Sequence, residues 1–158
     1  MDFAYELSLL VRRDLATLLR HVQAFSSDEA MWQTVHGVVN SAGNLILHLE
    51  GSLREYIGRQ LGNIPYIRNR EAEFETRGLT RDELIARLEY LGATIPAVIA
   101  SLSPAQLAAA YPESVLEREL TVQGFLLHLY GHLGWHMGQI DYVRRVVTTG
   151  GAVQRAPL

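Results

Sequence analysis

Apolar residues recur along most of this chain at the three-, four- and seven-residue spacings that line one face of a helix, and a two-residue alternation nowhere persists. Such stripes must be buried against one another, so the pattern restricts the chain to packed helices. Phe3, Leu7, Leu10, Val11, Leu18 and Val22 mark the first helix, which ends near "FSSDEAMW". The second starts at the capping residues Asn40–Ser41 and runs through Leu45, Leu49, Leu53 and Tyr56 until "LGNIP" stops it at Gly62 and Pro65. The third opens at "TRDE", where Thr80 and Glu83 have capping-box spacing. Its stripe is Leu84, Leu88, Leu91, Ile95 and Val98, with a local bend expected at Pro96. "SLSPAQLAAAYP" predicts a short helix with Pro104 in its first turn, and "VLERELTV" a brief extended piece. The fourth long helix runs from Thr121 to about Thr149, where Gly150–Gly151 ends it.

Four amphipathic helices with one long connection between the second and third predict an all-α four-helix bundle with a long crossover. At 158 residues the chain suits one domain, placed at 1–150, followed by a flexible tail at 151–158. The connection over 63–79 alternates Arg68, Arg70 and Arg77 with Glu71, Glu73 and Glu75, which reads as a solvated loop with ion pairs.

Composition removes several chemistries. There is no cysteine, so disulfides, thiolate metal sites and cysteine nucleophiles are excluded. Every basic residue other than histidine is arginine, which excludes Schiff-base lysine mechanisms. A net charge of −3 without a basic stripe argues against nucleic acid, and no apolar run is long enough for a membrane span. The opening "MDFAYELSLLVRRDL" lacks a signal-peptide layout, which predicts a cytoplasmic location.

What chemistry remains is concentrated in "HLYGHLGWHMGQI", residues 128–140. At about 100° per residue, His136 lies roughly 40° from the core direction of the fourth helix, His132 roughly 80° and His128 roughly 120°. His128 and His136 are also about 12 Å apart along the axis, too far to share an ion. His132 and His136 are therefore the better-aimed pair, and His128 is a flank residue. Gly131 and Gly134 between them weaken the helix and call for either close packing or room for a ligand. Tyr130 and Trp135 read as packing or interface residues. A third ligand has to come from His21, His36 or His48. His48 falls off the leucine stripe, in line with Ser41, Asn44, Ser52 and Glu55, a face that borders either a polar cavity or water. No glutamate follows the first histidine, so the metalloprotease HExxH pattern is missing, and no Glu-x-x-His pair suggests a di-iron site. An all-histidine site for one divalent ion, zinc or nickel, is what remains.

"NSAGNLILHLEGSLREYIG", the linker "RNREAEF" and "HLYGHLGWHMGQIDYVRRV" together resemble the DinB/YfiT-like superfamily of metal-dependent proteins over nearly the whole chain. The resemblance implies a four-helix bundle, often a homodimer, with a divalent metal held by His48, His132 and His136. It carries over Gly138 and Gln139 but not His128, and Gln139 is expected to orient a ligand or line the pocket. Characterised relatives include transferases and isomerases that use low-molecular-weight thiols. On that reading Asn44, Gln139, Arg68 and Arg70 are candidates for binding the cofactor or substrate. The alternatives are a metal-dependent hydrolase, with Glu55 or Asp141 as base, and a non-enzymatic dimeric or stress-response bundle.

Overall fold

The computed structural model describes residues 2–158, and among them helices are the only extended regular structure. The first long helix is α1 (Phe3–Gln23), after which a 3-10 turn (Glu29–Trp32) leads to α2 (Ala42–Leu53). A π-helical stretch (Arg54–Arg59) carries α2 without a break into a closing turn, α3 (Gln60–Gly62). A short helix, α4 (Arg70–Glu75), precedes the long α5 (Arg81–Ala100); α6 (Pro104–Ala108) and the 27-residue α7 (Val122–Thr148) follow.

The ends of these helices are fixed by side chains that the sequence supplies in place. Ser41, Thr80 and Thr121 each sit extended at an N-cap and accept a hydrogen bond from the backbone N–H three residues on. Thr80 and Glu83 close a full capping box. Pro96 lies inside α5 without interrupting it. At the far end of α7 it is Thr149, in the left-handed conformation at φ 51°, that terminates the helix ahead of the two glycines. "VLERELTV" forms only two isolated bridges, Ala110 with Thr121 and Val115 with Arg118.

Each long helix packs on two others: α1 and α2 both contact α5 and α7, and the apolar stripes meet in one core. On α7, Val122, Leu126, Leu129, Leu133 and Ile140 are buried, while Val147 packs partly buried against them. Gly150 and the residues after it form no helix. The segment still lies along α1, where Ala156 is buried and its N–H donates to Thr17 Oγ1 at 2.9 Å.

The connection between α2 and α5 is where the sequence expectation of a solvated loop is overturned. Residues 70–75 form α4, capped by Asn69 and packed on α2, and Glu73 is 5% exposed. Burying a lone carboxylate is prohibitive, so the segment can dock only because partners are waiting for it. Those partners define the site.

Candidate metal centre

His48 leaves α2 facing inward and is 8% exposed, while His132 and His136 leave α7 half-buried toward it. Their Nε2 atoms converge: His48 to His132 is 3.1 Å and His136 to His132 is 3.1 Å. One ligand atom from each of the three lies within 4.8 Å of the others, an arrangement that could hold a metal ion. A tetrahedral ion with Zn–N bonds near 2.05 Å spaces its ligands about 3.4 Å apart, close to these separations. His128 is exposed, its ring stacked between Phe125 and His132, and it takes no part in the cluster.

Hydrogen bonds behind the rings decide which nitrogen carries the proton. His48 Nδ1–H donates to Glu73 Oε2 at 2.9 Å, and His136 Nδ1–H donates to Gln139 Oε1 at 2.7 Å. Both acceptors lack a proton, so each ring in its neutral form carries its proton on Nδ1 and turns the Nε2 lone pair toward the shared point. At most one proton, from His132, can be shared among the three, which leaves one of the two 3.1 Å contacts as lone pair against lone pair. Burial together with the neighbouring His136 and His48 lowers the His132 pKa to about 4. Burial lowers His136 as well, although its bond to Gln139 opposes this. A proton is disfavoured here; a divalent cation would accept all three lone pairs at once.

Glu73 is the residue that the sequence reading missed. It is held by Arg68, whose Nε reaches Oε1 at 2.6 Å and whose Nη2 reaches Oε2 at 2.9 Å, a two-pronged pair. Burial opposes ionisation of Glu73, yet the bonds to His48 and Arg68 outweigh it and hold its carboxyl below the ordinary range. Arg68 Nη2 also donates to Ser52 Oγ at 3.0 Å. Gly51 makes the approach possible, because a Cβ there would overlap the Glu73 carboxylate. The signal in the sequence is that glycine, one turn after His48 and inside a helix that gains nothing from it.

The other sequence candidates divide. Asn44 is fully buried and gives both amide hydrogens to the carbonyls of Glu73 and Thr76, at 3.0 and 3.1 Å. It pins the α4 segment and has no hydrogen left for a ligand. Gln139 orients His136 rather than lining the cavity next to the histidines. Arg68 and Arg70 both line that cavity, about 430 Å³ in volume, together with His48, Ser52, Tyr56, His128 and His132. His21 lies elsewhere, buried beside Asp141, and His36 sits in the loop before α2. Glu55, paired with Arg59, and Asp141, paired with Arg144 and Arg145, do not line the cavity. Gly131 and Gly134 have no packing neighbour within 4 Å of where a Cβ would lie, so helix packing does not account for them.

The π-helical stretch shapes one wall. It places Tyr56 at the cavity, edge-on to Phe125, and leaves a carbonyl that Tyr111 satisfies by donating its hydroxyl to Tyr56 O at 2.7 Å.

Comparison with known proteins agrees with this architecture. The chain is similar to a DinB-like protein of Bacillus subtilis (yjoA) of known crystal structure, with TM-score 0.68 and 15% identity over 94% of this chain and 95% of that one. It is similar as well to a DinB-like protein of Bacillus cereus ATCC 10987, with TM-score 0.67 and 13% identity over 89% of this chain and 91% of the other. At these identities the likeness is one of fold. No curated protein matches the sequence. The sequence profile of the DinB superfamily, in contrast, matches residues 10–140, most of the chain, and the chain belongs to that superfamily.

Proposed function

We propose that the protein is a divalent-metal-dependent enzyme whose ion, zinc or nickel, is held by His48, His132 and His136, and that it acts on a substrate with the help of a low-molecular-weight thiol. The observation that carries this reading is the convergence of three Nε2 atoms beside a 430 Å³ cavity, with acceptors behind two of the rings that hold the proton of the neutral imidazole on Nδ1. Three neutral imidazoles suit zinc or nickel, and a three-ligand set leaves a position for an incoming group. Bound there, such an ion supplies Lewis acidity that lowers the pKa of a coordinating thiol. Glu73 keeps the His48 lone pair aimed, Gln139 does the same for His136, and the cavity walls exclude bulk water on one side.

A thiol fits better than hydrolysis. The lack of cysteine is compatible with a thiol, because the sulfur nucleophile would arrive with a co-substrate. A hydrolase needs a base near the ion, and the carboxylate lining the cavity, Glu113, is engaged by Arg59 and Gln60. The test is to load the protein with Co²⁺ and add a thiol, with and without an electrophile. The expected result is a sulfur-to-cobalt charge-transfer band that decays as the thiol is consumed. Ester or amide hydrolysis without any thiol, and no such band, would replace this reading with the hydrolase.

The same proposal includes a homodimer. Trp135 and Tyr142, 70% and 71% exposed, leave an apolar outer face on α7, and no helix among the described residues covers it. Sedimentation should find a dimer for the wild type and a monomer for Trp135→Glu; a wild-type monomer overturns it. Among the described residues no helix is long and apolar enough to cross a membrane.

A further inference from the structure

Most charged side chains around the cavity are held in ion pairs. Arg68 is matched by Glu73, while Arg59 is shared between Glu55 and Glu113, which Gln60 also contacts. Arg70 is the exception: it lines the cavity and its rim, and among the described residues it forms no ion pair. Its guanidinium lies 5.8 Å from the Phe74 ring, and that ring lies 5.1 Å from the ring of His48. One aromatic ring therefore separates a guanidinium that has no ion-pair partner among the described residues from the histidine cluster. Tyr56 and Phe125 offer an apolar wall between cluster and rim.

We propose that the cavity binds a small organic monoanion, a carboxylate, whose acid group is taken by Arg70 while its other end reaches the histidine cluster. A guanidinium presents two parallel N–H donors to a carboxylate, which fixes both distance and orientation. A phosphate dianion fits less well, because it needs a second free cation and Arg68 is already committed to Glu73. Arg70 is then a specificity residue: it selects the acid over its neutral analogue and does not touch the reacting end. This rests on the metal-site reading only for what lies at the far end of the ligand.

Two probe pairs separate the claims. The first is 3-mercaptopropionate against 3-mercaptopropionamide on the Co²⁺-loaded protein, read by the charge-transfer band. The second is 3-phenylpropionate against 3-phenylpropionamide on the Zn²⁺-loaded protein, read by ligand-observed NMR, which requires no thiol. The acid of each pair should bind roughly tenfold more tightly than the amide, the ratio expected for a charge-assisted hydrogen bond. In Arg70→Gln the ratio should fall to about one while amide affinity stays, and Arg70→Lys should restore part of it. Arg70 is exposed, so neither substitution disturbs the core. If the mercapto pair fails to bind but the phenyl pair keeps an Arg70-dependent preference, the thiol reading fails and this inference stands. If neither pair shows a preference that Arg70→Gln removes, the inference is overturned.

Discussion

His132→Ala should abolish the metal-dependent stabilisation of the protein while leaving the metal-free fold intact. His132 is the shared vertex of the cluster, 3.1 Å from both of the other Nε2 atoms, so its removal leaves two ligands with no common neighbour. Changes merely behind a ligand cost roughly 10- to 100-fold in metal affinity, and losing the ligand itself should cost more. With free Zn²⁺ at a hundred times the dissociation constant, the wild type should gain about 2.7 kcal/mol, and the variant should gain nothing measurable. Calorimetric melting of both proteins with and without Zn²⁺ reads this directly. An equal rise in Tm for the variant would show that the ion binds elsewhere.

The metal-free comparison has a pH dependence of known sign. In the folded chain His132 titrates at about 4, whereas the unfolded chain offers an ordinary histidine near 6.5. Above about pH 6.5 neither state is protonated there and the shift has no effect. As pH falls from there toward 4, the unfolded state takes up a proton that the folded state refuses, and stability drops by up to about 1.4 kcal/mol per pH unit for this residue. His136, also lowered, adds to the slope. Metal-free His132→Ala should therefore lose less stability on acidification than the wild type. The depressed values also keep His132 and His136 unprotonated in mild acid, so metal binding should hold to a lower pH than at an exposed histidine site.

The parts of this site that were legible in sequence are those governed by local geometry. The apolar period of α7 places Leu126, Leu129 and Leu133 in the core, and the same 100° step aims His132 and His136 at its edge. His48 was ambiguous for a physical reason. Its face of α2 carries Ser41, Asn44 and Ser52, and a polar face looks the same in sequence whether it meets water or a buried polar segment. Here it meets α4, whose Glu73 and Phe74 cover it. The family resemblance, not the period, singled out His48. The connection reads as solvated because alternating arginine and glutamate is the usual signature of a solvated surface. Nothing local announces that Arg68 and Glu73 neutralise each other five residues apart and bury against a histidine twenty-five residues earlier. That information lies in Gly51 and in the paired amide hydrogens of Asn44, which acquire meaning only once α2 and α4 are side by side.

Glu73 should accordingly be as sensitive to substitution as a metal ligand, although it holds no metal. Glu73→Ala removes the acceptor for His48 Nδ1–H and leaves the Arg68 guanidinium, 12% exposed, without its counter-charge. Removing one partner of a buried pair costs about 3–5 kcal/mol, toward the lower end here because some solvent reaches Arg68. The freed imidazole can also flip or change tautomer, turning its lone pair away from the cluster, which should weaken Zn²⁺ binding roughly 10- to 100-fold. The two effects separate in further variants. Glu73→Gln keeps an acceptor oxygen without the charge, so it should retain more of the metal affinity than Glu73→Ala. The double change Arg68→Met with Glu73→Met removes both charges together, and such replacements are often neutral or stabilising. It should therefore recover much of the lost stability, because no charge is left buried alone, but none of the metal affinity, because His48 still lacks its acceptor. Chemical denaturation and competitive Zn²⁺ titration of the three variants distinguish these expectations. Metal affinity that recovers along with stability in the double variant would mean that Glu73 merely holds α4 in place and leaves the His48 lone pair unaffected.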